Sequence, residues 1–365
     1  MPWRKQRDAI RRILIFRLGS LGDTVVALPS FHLIARAFPK AERQVLTNIS
    51  RNARETDLDA VLGGTGLVDG YMHFDPGDRS PAALAEARRL VHDYAPELVV
   101  YLAEQTTRMR MLRHVAFFAA AGVTEIVGLP GLGADGAHRH DRTRNVWEGE
   151  ADFLLRRIRD IGDARIDDPA LWDLRFTAAE LSEATALLGE LKAPQGFVAV
   201  APGAKVEVKD WGAARWQALV GGVSAVHRGL GLVTIGGPGD RERAALLAGS
   251  WRGPTLDLCG RVSPRVSAAV MAWARALLTH DSGPMHLAAA VGTPIVAIFS
   301  ARAKPGIWFP RGENNRVLYR RVPCRDCGLE ICTQYAKRCI ESIGVDEALD
   351  AALELIDIAP RSSVA

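Results

Sequence analysis

An aspartate ends a glycine-rich turn near the start of the chain, in the run Arg17-Leu-Gly-Ser-Leu-Gly-Asp23. Gly19 and Gly22 permit a tight turn and a close approach by other groups. An apolar run precedes the turn and a helical pattern follows it, so Asp23 is expected at the carboxyl end of a strand and the start of a helix. Two interpretations stay open. The residue is either a first-turn aspartate favoured by the helix dipole or a general base.

A second group of polar residues follows another apolar run, in the sequence His280-Asp-Ser-Gly-Pro-Met-His286. Pro284 suits the first turn of a helix. The backbone amides at such a helix start have no helical partners and bind phosphate well, while Asp281 is placed to hold sugar hydroxyls. The alternative is an ordinary capped junction between a strand and a helix. The phosphate-binding interpretation concerns Ser282, Gly283, Met285 and His286.

Two further junctions between a strand and a helix carry glycine and charge. The run Ala201-Pro-Gly-Ala204 leads to Lys205, Lys209 and Trp211, and lysines beside a helix entry suit a diphosphate. Most lysines are solvated surface residues, so this signal is weak by itself. The run Gly236-Gly-Pro-Gly-Asp240 is consistent with contacts to a ribose or a base, and equally with any tight turn.

Four of the five cysteines lie close together, with the spacing Cys324-x2-Cys327-x4-Cys332-x6-Cys339. Their number suits a metal site, but the spacing lacks the two CxxC pairs of common zinc modules. A structural metal knuckle and a compact loop of reduced thiols are both open interpretations. We favour the thiols and predict no catalytic metal.

Short apolar runs alternate with longer helical patterns over most of the chain, which indicates parallel sheets covered on both faces. The predicted strands are 13–18, 44–49, 71–74, 98–102, 125–129, 197–201, 230–235, 256–259, 276–279 and 294–300. The predicted helices are 25–38, 82–94, 109–121, 216–227, 241–248, 267–275, 284–291 and 345–356. Two consecutive series of alternating strands and helices favour two open sheets, although one closed barrel remains an alternative. A ligand would lie at the carboxyl ends of the strands.

The composition is that of an ordinary globular protein, with 48% hydrophobic residues and a net charge of +4 among 365 residues. This mild charge gives no reason to expect nucleic acid as a partner. The polar, basic start does not resemble a secretory signal, and no apolar run is long enough to span a membrane, so we expect a cytoplasmic protein.

Taken together, the motifs resemble the heptosyltransferases of glycosyltransferase family 9. The resemblance covers nearly the whole chain in the right order, and it rests on the runs 13–29, Ala201–Ala204 with Lys209-x-Trp211, Gly236–Pro238, and 280–290. The family implies an α/β fold of the GT-B class, with two Rossmann-like domains whose parallel sheets face each other across a cleft. It also implies inversion at the anomeric carbon without a metal or other cofactor.

The resemblance assigns roles to particular residues. It implies that Asp23 is the catalytic base, that Lys209 meets the donor phosphates and that Asp281 faces the donor sugar. Other predicted donor contacts are Gly203, Ala204, Gly237, Asp240 and the residues from Ser282 to His286 named above. Predicted acceptor contacts are Gly22, Arg51, Arg54 and Arg108. The domains expected are 1–190 for the acceptor and 191–345 for the donor, joined near Lys192-Ala-Pro-Gln-Gly, with 346–365 as a terminal helix that packs on the first domain.

One run departs from the family pattern. Residues 301–308 read Ala-Arg-Ala-Lys-Pro-Gly-Ile-Trp, where the family tends toward Gly-Pro-Thr-Asp-Pro. The donor is therefore either ADP-heptose or a related nucleotide sugar, and the acceptor a glycolipid or another surface glycan. An oxidoreductase, an epimerase and a non-catalytic nucleotide-sugar-binding protein are alternatives. The basic start (Arg4, Lys5, Arg7, Arg11 and Arg12, with Trp3 and Ile10) suggests peripheral contact with the inner membrane surface.

Overall fold

The computed structural model describes residues 7–50, 56–104, 107–131 and 136–358. The chain divides into two compact units, Met1–Asp173 and Leu174–Ala365. Each unit is built on its own open parallel sheet, which confirms the predicted α/β class and excludes a single closed barrel.

The first unit contains a parallel sheet of five strands within the described residues, in the order β3-β2-β1-β4-β5. The strands are β1 (Arg12–Phe16), β2 (Glu42–Asn48), β3 (Gly70–Phe74), β4 (Leu98–Tyr101) and β5 (Ile126–Val127). The helices are α1 (Leu21–Val26), α2 (Leu28–Ala37), α3 (Asp59–Leu62), α4 (Pro81–Tyr94), α5 (Arg108–Ala120) and α6 (Glu150–Arg157). A short hairpin, β6 (His140–Asp141) and β7 (Val146–Trp147), precedes α6.

The predicted helix 25–38 is two helices in the structure, and the first begins earlier, at Leu21. Pro29 lies in the first turn of α2, where its missing N–H costs nothing, so the chain bends at Ala27 and starts a new helix. The early start brings Asp23 into the first turn of α1.

The second unit contains a parallel sheet of six strands in the described part of the chain, in the order β10-β9-β8-β11-β12-β13. The strands are β8 (Phe197–Ala201), β9 (Gly231–Thr234), β10 (Thr255–Asp257), β11 (Leu277–His280), β12 (Ile295–Phe299) and β13 (Asn315–Tyr319). The helices are α7 (Ala178–Leu191), α8 (Ala213–Val226), α9 (Arg241–Ser250), α10 (Pro264–Met271), α11 (Gly283–Ala290), α12 (Arg338–Glu341) and α13 (Val345–Ile358).

The boundary between the units lies earlier than the predicted one at 190/191. Residues 174–191, including α7, belong to the second unit, where α7 packs against α10 and Arg265 on α10 bonds this segment. Its guanidinium donates to the Leu174 carbonyl at 2.8 Å and bonds the Glu180 carboxylate at 2.8 Å. The turn at 192–196 is therefore a loop within the second unit and not the linker.

The C-terminal helix α13 packs on the core of the second unit, and its predicted packing on the first unit stays a prediction. Ala348, Ala352, Leu355 and Ile356 belong to the same buried cluster as residues of β8, β11 and α8. In the described residues, no helix is long and apolar enough to cross a membrane.

Candidate functional site

Asp23 lies where the strand order of the first sheet reverses, between β1 and its neighbour β4. In open α/β sheets this edge is the usual place for a ligand, because successive connections leave in opposite directions and open a crevice. Gly19 makes the position possible: its φ is +137°, and a Cβ there would lie 2.3 Å from the Asp23 Cβ. The glycine-rich turn is thus shaped around this aspartate.

The Asp23 carboxylate also organises its own turn. Its Oδ2 accepts the Ser20 backbone N–H at 2.7 Å, and the Ser20 hydroxyl lies 3.3 Å away. The structural interpretation from the sequence therefore holds, since Asp23 caps the start of α1. This role leaves the carboxylate half-buried, so a catalytic role is compatible with it.

A second carboxyl stands beside Asp23. Glu104 follows β4, and its side chain hydrogen-bonds Asp23. Glu104 is an exposed residue, although its carboxyl lies against that of Asp23. Partial loss of solvent around the carboxyl, then the charge of Asp23 and the hydrogen bond to it, raise the pKa of Glu104 to about 8. The raised pKa favours a protonated Glu104 that shares its proton with Asp23, an arrangement that the motifs did not predict.

The structure describes two of the four predicted acceptor residues. Gly22 lies in α1, directly before Asp23, and Arg108 is the exposed first residue of α5. Arg51 and Arg54 lie outside the described residues, so their contribution stays a prediction.

In the second unit, the candidate donor residues lie at the reversal between β8 and β11. Lys209 follows β8 and Asp281 follows β11, and the structure brings them together. The Lys209 Nζ lies 2.6 Å from Asp281 Oδ2 and donates to the Asp281 carbonyl at 3.1 Å. Asp281 is nearly buried, at 8% exposure, so the ammonium compensates a carboxylate that water barely reaches.

The start of α11 follows directly. Ser282 is the N-cap residue and its hydroxyl lies 3.1 Å from that of Thr279. The side chains of Met285 and His286 are buried, and the His286 ring packs edge-on against Trp308. Burial of both residues includes their backbone, so their predicted contact with donor phosphate stays a prediction.

His280 joins three loops of the donor side. Its Nε2 accepts the Trp211 backbone N–H at 3.0 Å and the Trp216 indole N–H at 3.1 Å. Because Nε2 accepts, the ring proton sits on Nδ1, which donates to the Gly203 carbonyl at 3.2 Å. The ring is fully buried, and burial lowers the pKa of His280 to about 4. His280 is thus uncharged, and its hydrogen bonds link β11 to the Gly203 loop and to the segment after Lys209.

Acidification is expected to destabilise the fold through His280. Its folded-state pKa lies below the ordinary value of 6.5, so the unfolded chain binds its proton first as the pH falls. The free energy of unfolding should therefore fall by about 2 kcal/mol between pH 6.5 and pH 5 from this group. Urea unfolding of the wild type and of His280→Gln at both pH values measures it. An equal pH dependence in the two proteins would contradict this role, even though the variant is less stable throughout.

The glycine turn 236–240 is held by its own aspartate. Asp240 Oδ2 accepts the Gly237 N–H at 2.9 Å. A Cβ at Gly203 would lie 2.5 Å from Asp240 Oδ1, so the two predicted donor loops touch through this carboxylate. Ala204 follows in the same loop and is half-buried. The structure gives Asp240 a loop-holding role, and its predicted contact with a donor stays a prediction.

All four clustered cysteines line one cavity of about 40 Å³. Cys332 Sγ accepts backbone N–H groups of Lys337, Tyr335 and Gln334, which lower the pKa of its thiol, whereas burial raises the pKa of Cys339. Among the described residues, no three His, Cys, Asp or Glu side chains are arranged as a metal shell. The loop bonds the segment before Lys209, since the Val208 N–H donates to the Glu330 carbonyl at 3.0 Å.

Sequence reasoning missed several partners of the predicted residues. Arg17 begins the quoted motif, but its charge gave no sign that it is completely buried. Glu104 follows a predicted strand end, which was a usable signal. Arg243 holds Asp210, next to Lys209, with two bonds of 2.9 and 2.8 Å, and nothing in the local sequence indicates that pair.

The chain is similar in sequence to known lipopolysaccharide heptosyltransferases. The chain is 30% identical over 140 residues to lipopolysaccharide heptosyltransferase 3 of Escherichia coli, which is 36% of this chain and 40% of that protein. It is 28% identical over 203 residues to lipopolysaccharide heptosyltransferase 1 of Pseudomonas aeruginosa, and this matched region covers 54% of this chain and 49% of that protein. The matched region thus spans less than half the length of each of these curated relatives.

Solved structures match over almost the whole chain. A family 9 glycosyltransferase from Veillonella parvula has a TM-score of 0.69 at 18% identity, covering 95% of this chain and 97% of that one. The ADP-heptose lipopolysaccharide heptosyltransferase II of Escherichia coli has a TM-score of 0.64 at 16% identity, covering 94% and 98%. These likenesses confirm the predicted GT-B fold class.

The sequence model of glycosyltransferase family 9 (heptosyltransferase) matches residues 136–335, more than half of the 365 residues. The residues that carry the earlier resemblance lie partly inside this region and partly in the turn that holds Asp23. The chain therefore belongs to glycosyltransferase family 9, the heptosyltransferase family.

Proposed function

We propose that the protein transfers heptose or a related sugar from a nucleotide-sugar donor to a lipopolysaccharide-type or other surface-glycan acceptor. The transfer inverts the anomeric carbon and uses no metal. The observation that carries this proposal is the pairing of Lys209 with Asp281 at the strand reversal of the second sheet, at the start of a helix. Membership of family 9 supports the donor class.

The proposed chemistry assigns one task to each unit. In the first, the Asp23 carboxylate takes the proton from an acceptor hydroxyl as its oxygen forms a bond to the anomeric carbon. In the second, the bond from that carbon to the diphosphate oxygen breaks, and the leaving group carries the electron pair away. Lys209 and the amides at the start of α11 stabilise that negative charge.

A donor screen tests the proposal first. Thermal shift is measured with nucleoside diphosphates, with nucleosides and with nucleotide sugars, and transfer is then followed to a truncated lipopolysaccharide acceptor. We expect stabilisation by a nucleoside diphosphate and its sugar but much less by the nucleoside, because the site is built around the phosphates. If the donor is not turned over either with or without acceptor, the protein is a non-catalytic nucleotide-sugar-binding protein instead.

Chelation is expected to leave transfer intact. The charge of the leaving diphosphate is met by Lys209 and backbone amides, so no divalent cation is needed. The transfer rate with EDTA should equal the rate with Mg²⁺, and elemental analysis should find well below one zinc or iron per chain. A strict Mg²⁺ requirement would contradict the mechanism. A full metal equivalent, lost together with the fold, would overturn the thiol interpretation of the cysteine loop.

We further propose peripheral binding to anionic membranes through the basic start of the chain. Ile10 does not take part, because it is buried, and Arg7 donates to the Ala37 carbonyl at 3.2 Å. Arg11 and Arg12 are exposed, whereas Trp3, Arg4 and Lys5 lie outside the described residues. The candidates for membrane contact are therefore the remaining basic side chains. Each contributes roughly 1 kcal/mol of binding free energy near an anionic surface.

Sedimentation with vesicles checks this binding. The wild type should co-sediment with phosphatidylserine-containing vesicles at low salt and be released at high salt, because surface charges are screened. The triple variant Arg4→Gln/Lys5→Gln/Arg11→Gln should bind about 100-fold more weakly. Vesicles of phosphatidylcholine alone serve as the control. Equal co-sedimentation of both proteins would exclude this segment.

A further inference from the structure

A fully buried arginine lies beneath the proposed base. Arg17 directly follows β1 and has no exposed surface, so its charge is removed from water. Burial of a charge is unfavourable unless the group is paired and its hydrogen bonds are satisfied. An apolar residue would fill the same space without that cost. The presence of an arginine at this position must therefore be explained by the contacts of its guanidinium.

Those contacts join two strand ends. Nη2 and Nε both donate to the Asp23 carbonyl, at 2.7 and 3.2 Å, and Nη1 donates to the Leu102 carbonyl at 2.7 Å. Leu102 directly follows β4, the strand next to β1 at the reversal of the sheet. One rigid planar group therefore fixes the turn that carries Asp23 to the segment that leads to Glu104.

Glu150 supplies a buried counter-charge for Arg17. Nη1 lies 3.4 Å from Glu150 Oε1 at the start of α6, and the other Glu150 oxygen lies 3.2 Å from His138 Nε2. Glu150 is 2% exposed, so this is an internal counter-charge. The guanidinium bonds the backbone of Asp23, while the Asp23 carboxylate accepts the Ser20 N–H and is hydrogen-bonded to Glu104.

We propose that Arg17 is a positioning residue for the base: it clamps the Asp23 turn to the end of β4 and thereby holds the Asp23 carboxylate in its productive place. The inference rests on the proposed function for its effect on catalysis, but the clamp itself is a property of the first unit. A displacement of about 1 Å at a reacting group lowers rates by roughly 10²-fold, so a loosened clamp has a large effect on turnover.

Arg17→Lys is the variant that tests the clamp. It keeps a positive charge opposite Glu150 but cannot reach both carbonyls with the fixed fork of a guanidinium. Arg157→Lys is the matched control. Arg157 also holds the end of β4, donating to the carbonyls of Gly128, Ala103 and Tyr101 at 2.7, 2.6 and 3.0 Å, none of which belongs to the Asp23 turn.

For Arg17→Lys we expect kcat to fall about 10- to 100-fold, with the donor Kd within twofold of wild type. Arg157→Lys should lose comparable thermal stability but keep kcat within about threefold. Equal losses of kcat in the two variants would show that Arg17 only stabilises the fold and does not position Asp23. A kcat for Arg17→Lys within threefold of wild type would overturn the proposal.

Hydrogen exchange gives a second readout that does not depend on activity. The Thr24 N–H bonds the Ser20 carbonyl at 3.0 Å and the Gly19 N–H bonds Asn48 Oδ1 at 2.7 Å, so these amides report on the turn. Exchange in the segment 18–24 should speed up in Arg17→Lys and remain unchanged in Arg157→Lys. If no donor supports transfer by the wild type, the proposed function fails, while unchanged exchange in Arg17→Lys would overturn the clamp itself.

Discussion

Asp23→Asn should lower kcat for sugar transfer by about 10²- to 10⁴-fold, because an amide cannot take the proton of the acceptor hydroxyl. The fold should persist, since the Asn oxygen still accepts the Ser20 N–H that the carboxylate accepts at 2.7 Å. Donor affinity should also persist, because the predicted donor contacts belong to the second unit. Initial rates at saturating donor and acceptor, together with calorimetric donor binding, measure both.

A matched control removes a carboxylate that caps a turn elsewhere in the first unit. Asp168 accepts the Ala170 N–H at 3.0 Å at the start of a short 3-10 helix, so Asp168→Asn makes the same chemical change without touching the Asp23 turn. Its kcat should equal that of the wild type. Turnover of Asp23→Asn within about tenfold of wild type would exclude the residue as general base. Glu104→Gln in the Asp23→Asn background then shows whether the neighbouring carboxyl supplies residual activity.

The strands that frame both sites were predictable because they are buried on both faces. All residues of β4, β8 and β11 are buried, and such strands are largely apolar runs that stand out in a sequence. The edge strand β13 was missed for the opposite reason. Its five residues are only half-buried and include Asn315 and Arg316, so no apolar run marks it.

The domain boundary illustrates a different limit. The Pro- and Gly-bearing turn at 192–196 is real, but a turn does not say to which core the preceding helix belongs. The helix packs against α10, and Arg265 on α10 bonds Glu180 from 85 residues away. No local sequence pattern reveals such long-range contacts. The same holds for the C-terminal helix, whose apolar face fits either unit on sequence grounds.

The candidate site residues themselves were easier to find than the groups that hold them. Asp23, Lys209 and Asp281 stand out because glycine and charge follow an apolar run. Arg17 stands in the same motif, yet its sequence neighbours do not reveal that its side chain turns inward to Leu102, 85 positions away. Positioning groups of this kind become visible only when the strand ends are brought side by side.

Lys209→Met should weaken binding of a nucleoside diphosphate by about 30-fold or more, while binding of the parent nucleoside changes less than threefold. Methionine keeps most of the apolar stem but removes the ammonium, and the loss of a charged hydrogen-bonded partner at a nearly buried site costs about 2–5 kcal/mol. The expected selectivity arises because the ammonium faces phosphate charge and the nucleoside has none. Calorimetry with ADP and adenosine compares the two directly.

The lysine also has a second task, which the experiment must separate from the first. Without it, the Asp281 carboxylate, at 8% exposure, loses its partner at 2.6 Å, so Lys209→Met is expected to be less stable as well. The double variant Lys209→Met/Asp281→Asn removes that uncompensated charge and should recover stability without recovering diphosphate affinity. Lys192→Met, which deletes an exposed lysine of the same unit, controls for net charge and should bind ADP like the wild type. Equal losses for ADP and adenosine in Lys209→Met would show that Lys209 acts on the loop and does not reach the diphosphate.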